Sequence, residues 1–145
     1  MAEAPTVRVE RRFAAPVGRV FDAWLDPLMI GRFMFGAHLR EEVVVSLENE
    51  PHVGGQFHYK VTRAGQLIDH TGTYLEIDRP RRLAFTWGVN QESGDSSVVT
   101  IELTPDGDGC LLALTHRMDP QWADYAERTQ QGWTKILGDL TSALA

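Results

Sequence analysis

The sequence holds a single cysteine, Cys110, so no intramolecular disulfide can form and no cysteine-built zinc site is available. Long apolar runs are missing too: no stretch approaches the roughly 18 apolar residues of a membrane span. Positive charge is in deficit, with 14 Lys and Arg against 20 Asp and Glu and a net charge of −6. That balance argues against the broad basic face that grips a phosphate backbone, and the only dense basic clusters, Arg11-Arg12 and Arg79-Pro80-Arg81-Arg82, read as strand edges or turns, so nucleic acid is not an expected partner. The opening Met1-Ala2-Glu3-Ala4-Pro5-Thr6 lacks the basic-then-apolar character of a signal peptide, and a cytoplasmic location is expected. Repeats, low-complexity tracts and dividing linkers are absent as well. The expectation is one domain over residues 1–145. A chain of that size buries roughly 68–70% of its unfolded surface and needs no metal or disulfide.

What is present is a clear alternation of periods. Val7, Val9 and Phe13 alternate with Arg8, Glu10 and Arg12, the period of a half-buried strand over Thr6 to Phe13. Pro16 suits a first helical turn, and Val17, Val20, Phe21, Trp24 and Leu25 follow at helical spacing. Asp26-Pro27 starts a second short helix, with Asp26 as its cap and Ile30 and Phe33 on its apolar side. From Arg40 to His116 the pattern is strand after strand. Val43, Val45 and Leu47 alternate with small or polar neighbours; Phe57, Tyr59 and Val61 share a face of Gln56 to Thr62. Ala64-Gly65 and Asp106-Gly107-Asp108-Gly109 are hairpin signals, and Pro51 to Gly55 is a turn.

The strand from about Leu67 to Ile77 is long, and Gly72 in its middle predicts a bulge or bend of the kind that curves a sheet. Ile68, His70 and Tyr74 fall on one of its faces, Leu67, Leu75 and Ile77 on the other. Leu83, Phe85 and Trp87 alternate next, then Val99, Ile101 and Leu103, with Gln91 to Asp95 as a polar loop between. The last segment, about Pro120 to Leu144, carries one stripe through Trp122, Tyr125, Ala126, Thr129, Trp133, Ile136, Leu137, Leu140 and Leu144, and predicts one helix about 36 Å long. One strand, two short helices, six strands and a long helix is an α+β arrangement.

Residues able to carry chemistry are few. Gly54-Gly55 precedes a strand, not a helix, and reads as backbone geometry rather than a phosphate cradle. His38, His52, His58, His70 and His116 have no metal-site spacing, so neither metal nor cofactor is expected. By alternation His58 faces outward, His70 shares the face of Tyr74, and His116 that of Leu112 and Leu114. His70 and His116 each read as a hydrogen-bonded structural histidine or as a polar group of a cavity. Cys110 has no basic or helical neighbour to activate it. Ser46, Ser93, Ser96, Ser97 and Ser142 lie in no nucleophile motif. Glu41-Glu42 and Asp106/Asp108 read as solvated turn or edge residues, so no catalytic set emerges. The aromatics Trp24, Phe33, Phe35, Phe57, Tyr59, Tyr74, Phe85, Trp87 and Trp133 fall on elements that face one interior, which fits either an ordinary core or a mostly apolar ligand pocket.

Four segments in order carry a family resemblance: Phe13-Ala14-Ala15-Pro16-Val17-Gly18-Arg19-Val20-Phe21-Asp22-Ala23-Trp24, Val53-Gly54-Gly55-Gln56-Phe57, the run from His70 to Trp87, and Gly132-Trp133-Thr134-Lys135-Ile136-Leu137. Together they resemble the START-like (SRPBCC) superfamily, and within it the branch related to the C-terminal domain of the heat-shock-protein-90 ATPase activator. The resemblance implies a helix-grip (START/Bet v 1-like) fold, a curved antiparallel sheet wrapped around the C-terminal helix with an apolar cavity between them. The residues expected to line that cavity are Phe33, Phe57, Tyr59, His70, Tyr74, Phe85, Trp87, His116, Trp133 and Leu137. The expected partner is a small apolar or amphipathic ligand. A cyclase- or hydratase-type reaction in the same cavity, with His70 and Tyr59 moving protons, is the enzymatic alternative; a chaperone partner is the third. A homodimer is compatible with the pattern but not demanded by it.

Overall fold

The computed structural model describes residues 5–89 and 97–145; the expected polar loop at Gln91 to Asp95 lies outside them. Strand β1 (Thr6–Phe13) is followed by helices α1 (Val17–Ala23) and α2 (Pro27–Phe33). Seven strands come next: β2 (Val43–Asn49), β3 (Gln56–Arg63), β4 (Gln66–Asp78), β5 (Arg82–Thr86), the two-residue β6 (Gly88–Val89), β7 (Val98–Asp106) and β8 (Gly109–Arg117). A 3-10 segment (Pro120–Tyr125) leads into α3 (Ala126–Leu144). The strands form one antiparallel sheet in the order β1-β8-β7-β5-β4-β3-β2, with β6 paired to β4. The α+β, helix-grip arrangement is as the sequence implies, with one short strand more than the pattern resolves.

Local chemistry accounts for the joints. Asp26 accepts a hydrogen bond from the Leu28 N–H at 3.0 Å and Pro27 stands at the first position of α2, which satisfies one of its free donors. Ala64 and Gly65 both have positive φ, the geometry a two-residue hairpin asks of its loop, and Gly107 opens the β7–β8 turn at φ +61°. Arg79 clamps the Asp22 carboxylate with two hydrogen bonds of 2.7 and 2.9 Å, tying the β4–β5 turn to α1.

Curvature is concentrated on β4. Gly72 lies opposite Phe57, and a Cβ there would run into the Thr86 carbonyl oxygen and the Phe57 ring. The β4–β5 register then slips between Tyr74 and Glu76. This bulge corrects the expected faces of β4: Leu75 and Leu67 point out, but Ile77 rejoins the inner side opposite buried Leu83 and packs on the core. Where β5 gives way to β6, the Thr86 hydroxyl accepts the Thr73 N–H at 2.8 Å in place of a ladder carbonyl. A second bulge between Val44 and Ser46 reverses the reading of β2: Val44 and Leu47 pack against the core, whereas Val43 and Val45 are exposed.

The C-terminal segment also departs from expectation. Trp122 has φ −103° and ψ 17°, so the stripe from Trp122 to Leu144 does not run along one straight helix. Asp119 caps the 3-10 turn by accepting from the Gln121 N–H, and α3 proper begins at Ala126. Trp133, Leu137, Leu140 and Leu144, stepping by four, three and four, are buried against the sheet and α2. The earlier part of the stripe is not covered: Tyr125 is 45% exposed and Trp122 only half-buried. Among the described residues no helix is long and apolar enough to cross a membrane.

Candidate functional site

Two spaces bear on the expected cavity. Deep between sheet and α2 is a void of about 10 Å³ lined by Trp24, Ile30, Met34, Phe57, Tyr59, Tyr74, Phe85 and Trp87. That is the volume of about one water, so the aromatic interior here is filled by its own side chains. Phe57 stacks on Tyr59 with centroids 4.7 Å apart, and Phe85 meets Phe57 edge-on at 5.6 Å. The second space is a pocket of about 460 Å³ where the sheet meets the start of α3. Trp87, Gly88, Val89, Ser97, His116, Met118 and Asp119 form its sheet side. Trp122, Tyr125, Thr129, Gly132, Trp133 and Ile136 form its helix side.

The ten residues expected to share one cavity are thus divided. Trp87, His116 and Trp133 line the larger pocket; Phe57, Tyr59, Tyr74 and Phe85, again with Trp87, line the small void. Phe33, His70 and Leu137 line neither. Phe33 meets Trp24 edge-on at 5.2 Å, and Leu137 is fully buried. His70 is held at the far end of the interior, where its Nδ1–H donates to the Tyr59 carbonyl at 3.0 Å and its ring lies 4.6 Å from Phe35. Burial lowers its pKa. The Tyr59 hydroxyl faces the Tyr74 hydroxyl at 3.5 Å, and Asn49 Nδ2 donates to Tyr74 at 3.1 Å. Burial pushes both phenols up. His70 therefore touches the backbone of Tyr59, not its hydroxyl.

Another expectation is corrected just before β2. Glu42, read as solvated, is buried, because its carboxylate ties three groups together. Arg63 donates at 2.6 Å, Arg40 at 2.9 Å and the Gly36 N–H at 2.8 Å. Burial pushes the Glu42 pKa up, but Arg63, the Gly36 amide and Arg40 together outweigh it and hold the carboxyl below its ordinary value. His58 stands half-exposed beside Asp69 at 3.2 Å, on the outer face as alternation requires.

The polar end of the larger pocket has a definite direction. The Trp133 indole N–H, which can only donate, reaches His116 Nδ1 at 3.0 Å. His116 Nδ1 is therefore the acceptor, and the ring proton of the neutral imidazole sits on Nε2. Nε2 lies 2.6 Å from Ser97 Oγ, so it donates to that oxygen. Ser97 is itself fixed by its carbonyl, which accepts the Trp87 N–H at 2.9 Å. Both Ser97 and His116 are buried, and burial takes the His116 pKa down to about 4. A base would have to accept the serine proton, but His116 has its free lone pair occupied by Trp133. The arrangement is a donor chain, not a nucleophile–base pair.

Sequence reasoning missed Ser97, Met118 and Asp119 as pocket residues. Their signal is weak, since they sit at strand ends where alternation stops. It did place Trp122, Tyr125, Thr129 and Ile136 on the stripe with Trp133, but as core wall rather than pocket lining. Cys110 is fully buried and burial raises its pKa, so it offers no reactive thiolate. Among the described residues no group of three or more His, Cys, Asp or Glu is placed to hold a metal ion.

Sheet, clasped helix and pocket together define a START-like helix-grip domain. The chain belongs to the family described as activator of Hsp90 ATPase homolog 1-like protein, whose model matches residues 14–145. Among solved structures it is similar to a protein from Chromobacterium violaceum at 28% identity, covering 94% of each chain with a TM-score of 0.81. CalU16 from Micromonospora echinospora matches at 27% identity over 99% of this chain and 78% of that one, with a TM-score of 0.70. A Rhodobacter sphaeroides protein at 22% identity covers 99% of this chain and 95% of its own with a TM-score of 0.82, a likeness of fold. No curated protein matches.

Proposed function

We propose that this protein binds a small apolar or amphipathic molecule in the pocket beneath Trp133, without covalent chemistry. The observation that carries this reading is a space of about 460 Å³ walled by Trp87, Trp122, Tyr125, Trp133 and Ile136, with a few polar side chains such as Ser97, His116 and Thr129 among them. Ligand sites usually have that size and that mixture. The uncovered start of the apolar stripe supports it: Tyr125 and Trp122 would bury more of their rings against an occupant. The donor chain supports binding over catalysis, because His116 is in the wrong tautomer to activate Ser97.

Two measurements test the proposal. Native mass spectrometry of the purified chain looks for retained small molecules, and a titration with the neutral dye Nile red follows its fluorescence. Dye binding is expected in the parent chain and its loss in Trp133→Ala. Gly132→Phe provides a second variant that does not hollow the core, since a Cβ at Gly132 meets nothing within 4 Å and the added ring would occupy the pocket. Absence of dye binding in the parent, or unchanged binding in both variants, sinks the proposal.

A further inference from the structure

An indole N–H donates and cannot accept, and one buried without an acceptor is destabilising. Trp24, the residue that ends α1, is 3% exposed, and its Nε1 has no hydrogen-bond partner. Among the described residues it is the one buried side-chain donor left in that state. The same side chain lines the interior void of about 10 Å³ between the sheet and α2. We propose that this void is a binding site for one water molecule, which accepts the Trp24 N–H and links it to the phenols of Tyr59 and Tyr74.

A count of protons and acceptors leads to it. Tyr59 and Tyr74 line the void together with Trp24. Their hydroxyls stand 3.5 Å apart, well beyond the roughly 2.7–2.8 Å of a good O–H···O bond. Tyr74 Oη already accepts from Asn49 Nδ2 at 3.1 Å. Even when one phenol gives its proton to the other, the second phenol proton and the Trp24 proton have no acceptor among the described residues. A water oxygen has two lone pairs to take both, and a hydrogen to return to the phenol oxygen that still has room. Buried waters make about three hydrogen bonds of this kind, and a cavity of this volume holds about one of them.

The surroundings make this water part of the protein rather than the inner end of the ligand pocket. Trp87 lines both spaces and stands between them, its ring 5.4 Å from Trp133 on the pocket side and 5.9 Å from Phe57 on the inner side. Trp24 in turn packs 6.4 Å from Trp133. No charged side chain lines the void, so the occupant is neutral. Held in this way, the water bridges the end of α1 to β3 and β4 across the core and backs the aromatic wall of the larger pocket. It leaves only when that wall opens, so it stays far longer than surface water does.

Nuclear magnetic resonance on the whole chain with ¹⁵N-labelled indoles reads the site. The chain has four tryptophans, and Trp24→Phe shows which indole signal belongs to Trp24. In the parent that Hε1 proton is expected to give cross-peaks with water of opposite sign in NOESY and ROESY, the mark of a bound, slowly leaving water. Tyr59→Phe with Tyr74→Phe, which removes both phenol oxygens, should lose the cross-peak while the Trp24 indole signal persists. A crystal structure should place one water oxygen roughly 2.7–3.2 Å from Trp24 Nε1. Cross-peaks of the same sign in both spectra, which mean direct proton exchange with solvent, overturn the proposal. So does a Trp24 Hε1 with no water cross-peak, empty density beside Nε1, or a cross-peak that survives loss of both phenols. The parent measurements decide the matter even where the double variant does not fold.

Discussion

Acidification gives the sharpest test of the Trp133–His116–Ser97 chain. Burial draws the His116 pKa down from 6.5 to about 4 in the folded protein, while the unfolded chain keeps the ordinary value. The folded state therefore resists the proton and the unfolded state takes it. Stability from this residue is complete above about pH 6.5 and is lost as pH falls toward 4. The slope over that window is about 1.4 kcal/mol per pH unit, so the full loss is about 3 kcal/mol. Proton uptake would also set an N–H of His116 against the Trp133 N–H. Urea unfolding at stepped pH measures the slope, and His116→Asn isolates it, because an asparagine oxygen near the Nδ1 position can still accept from Trp133 but does not titrate. His70, Asp22 and Glu42 are lowered as well, but all three remain in both proteins and cancel in the comparison. The variant should start about 1–2 kcal/mol less stable at neutral pH, having lost the Ser97 contact and some packing, and should fall with a slope shallower by one proton. An unchanged slope in His116→Asn would refute the buried neutral histidine.

Three substitutions extend the test to other joints. Gly72→Ala should lower stability by about 3 kcal/mol or more, seen as a lower urea midpoint, because the methyl has to displace the Thr86 carbonyl or the Phe57 ring. Glu42→Gln should lose about 2–3 kcal/mol in the same assay, since Arg40 and Arg63 lose their shared counter-charge. Gly132→Ala should raise the melting temperature, gaining about 0.5–1 kcal/mol of helix stability at an exposed site with open space around it.

The fold was legible because its signals are local. Two-residue alternation marked the strands, Asp26-Pro27 the start of α2, and Gly72 the bend. Bulges were less legible. The slips at Val45 and Leu75 are set by pairing with a neighbouring strand, and each changes which residues share a face across it, so Val43, Val45 and Ile77 were placed on the wrong side. Glu42 was missed for a related reason: its partner Arg63 lies 21 residues away and reaches it only after β2 and β3 pair. The site was half legible. Trp87, His116 and Trp133 stood out as large or polar side chains on inward faces. That Phe57, Tyr59, Tyr74 and Phe85 close on themselves while Trp122 and Tyr125 stay uncovered depends on the break at Trp122, which helical spacing does not reveal.

Pairing of the first strand with the last has a consequence for biosynthesis. Arg8 on β1 donates to Thr115 on β8, 107 positions further along the chain. At a translation rate of roughly 5–20 residues per second, β1 waits about 5–20 s for its ladder partner. During that interval the nascent chain offers Val7 and Phe13 to whatever lies nearby, and the helix that closes the sheet is made later still. The closure entropy of so long a loop has to be met before the contacts that reward it form. Completion of this sheet is thus a late event, reached only once β8 and α3 have been made.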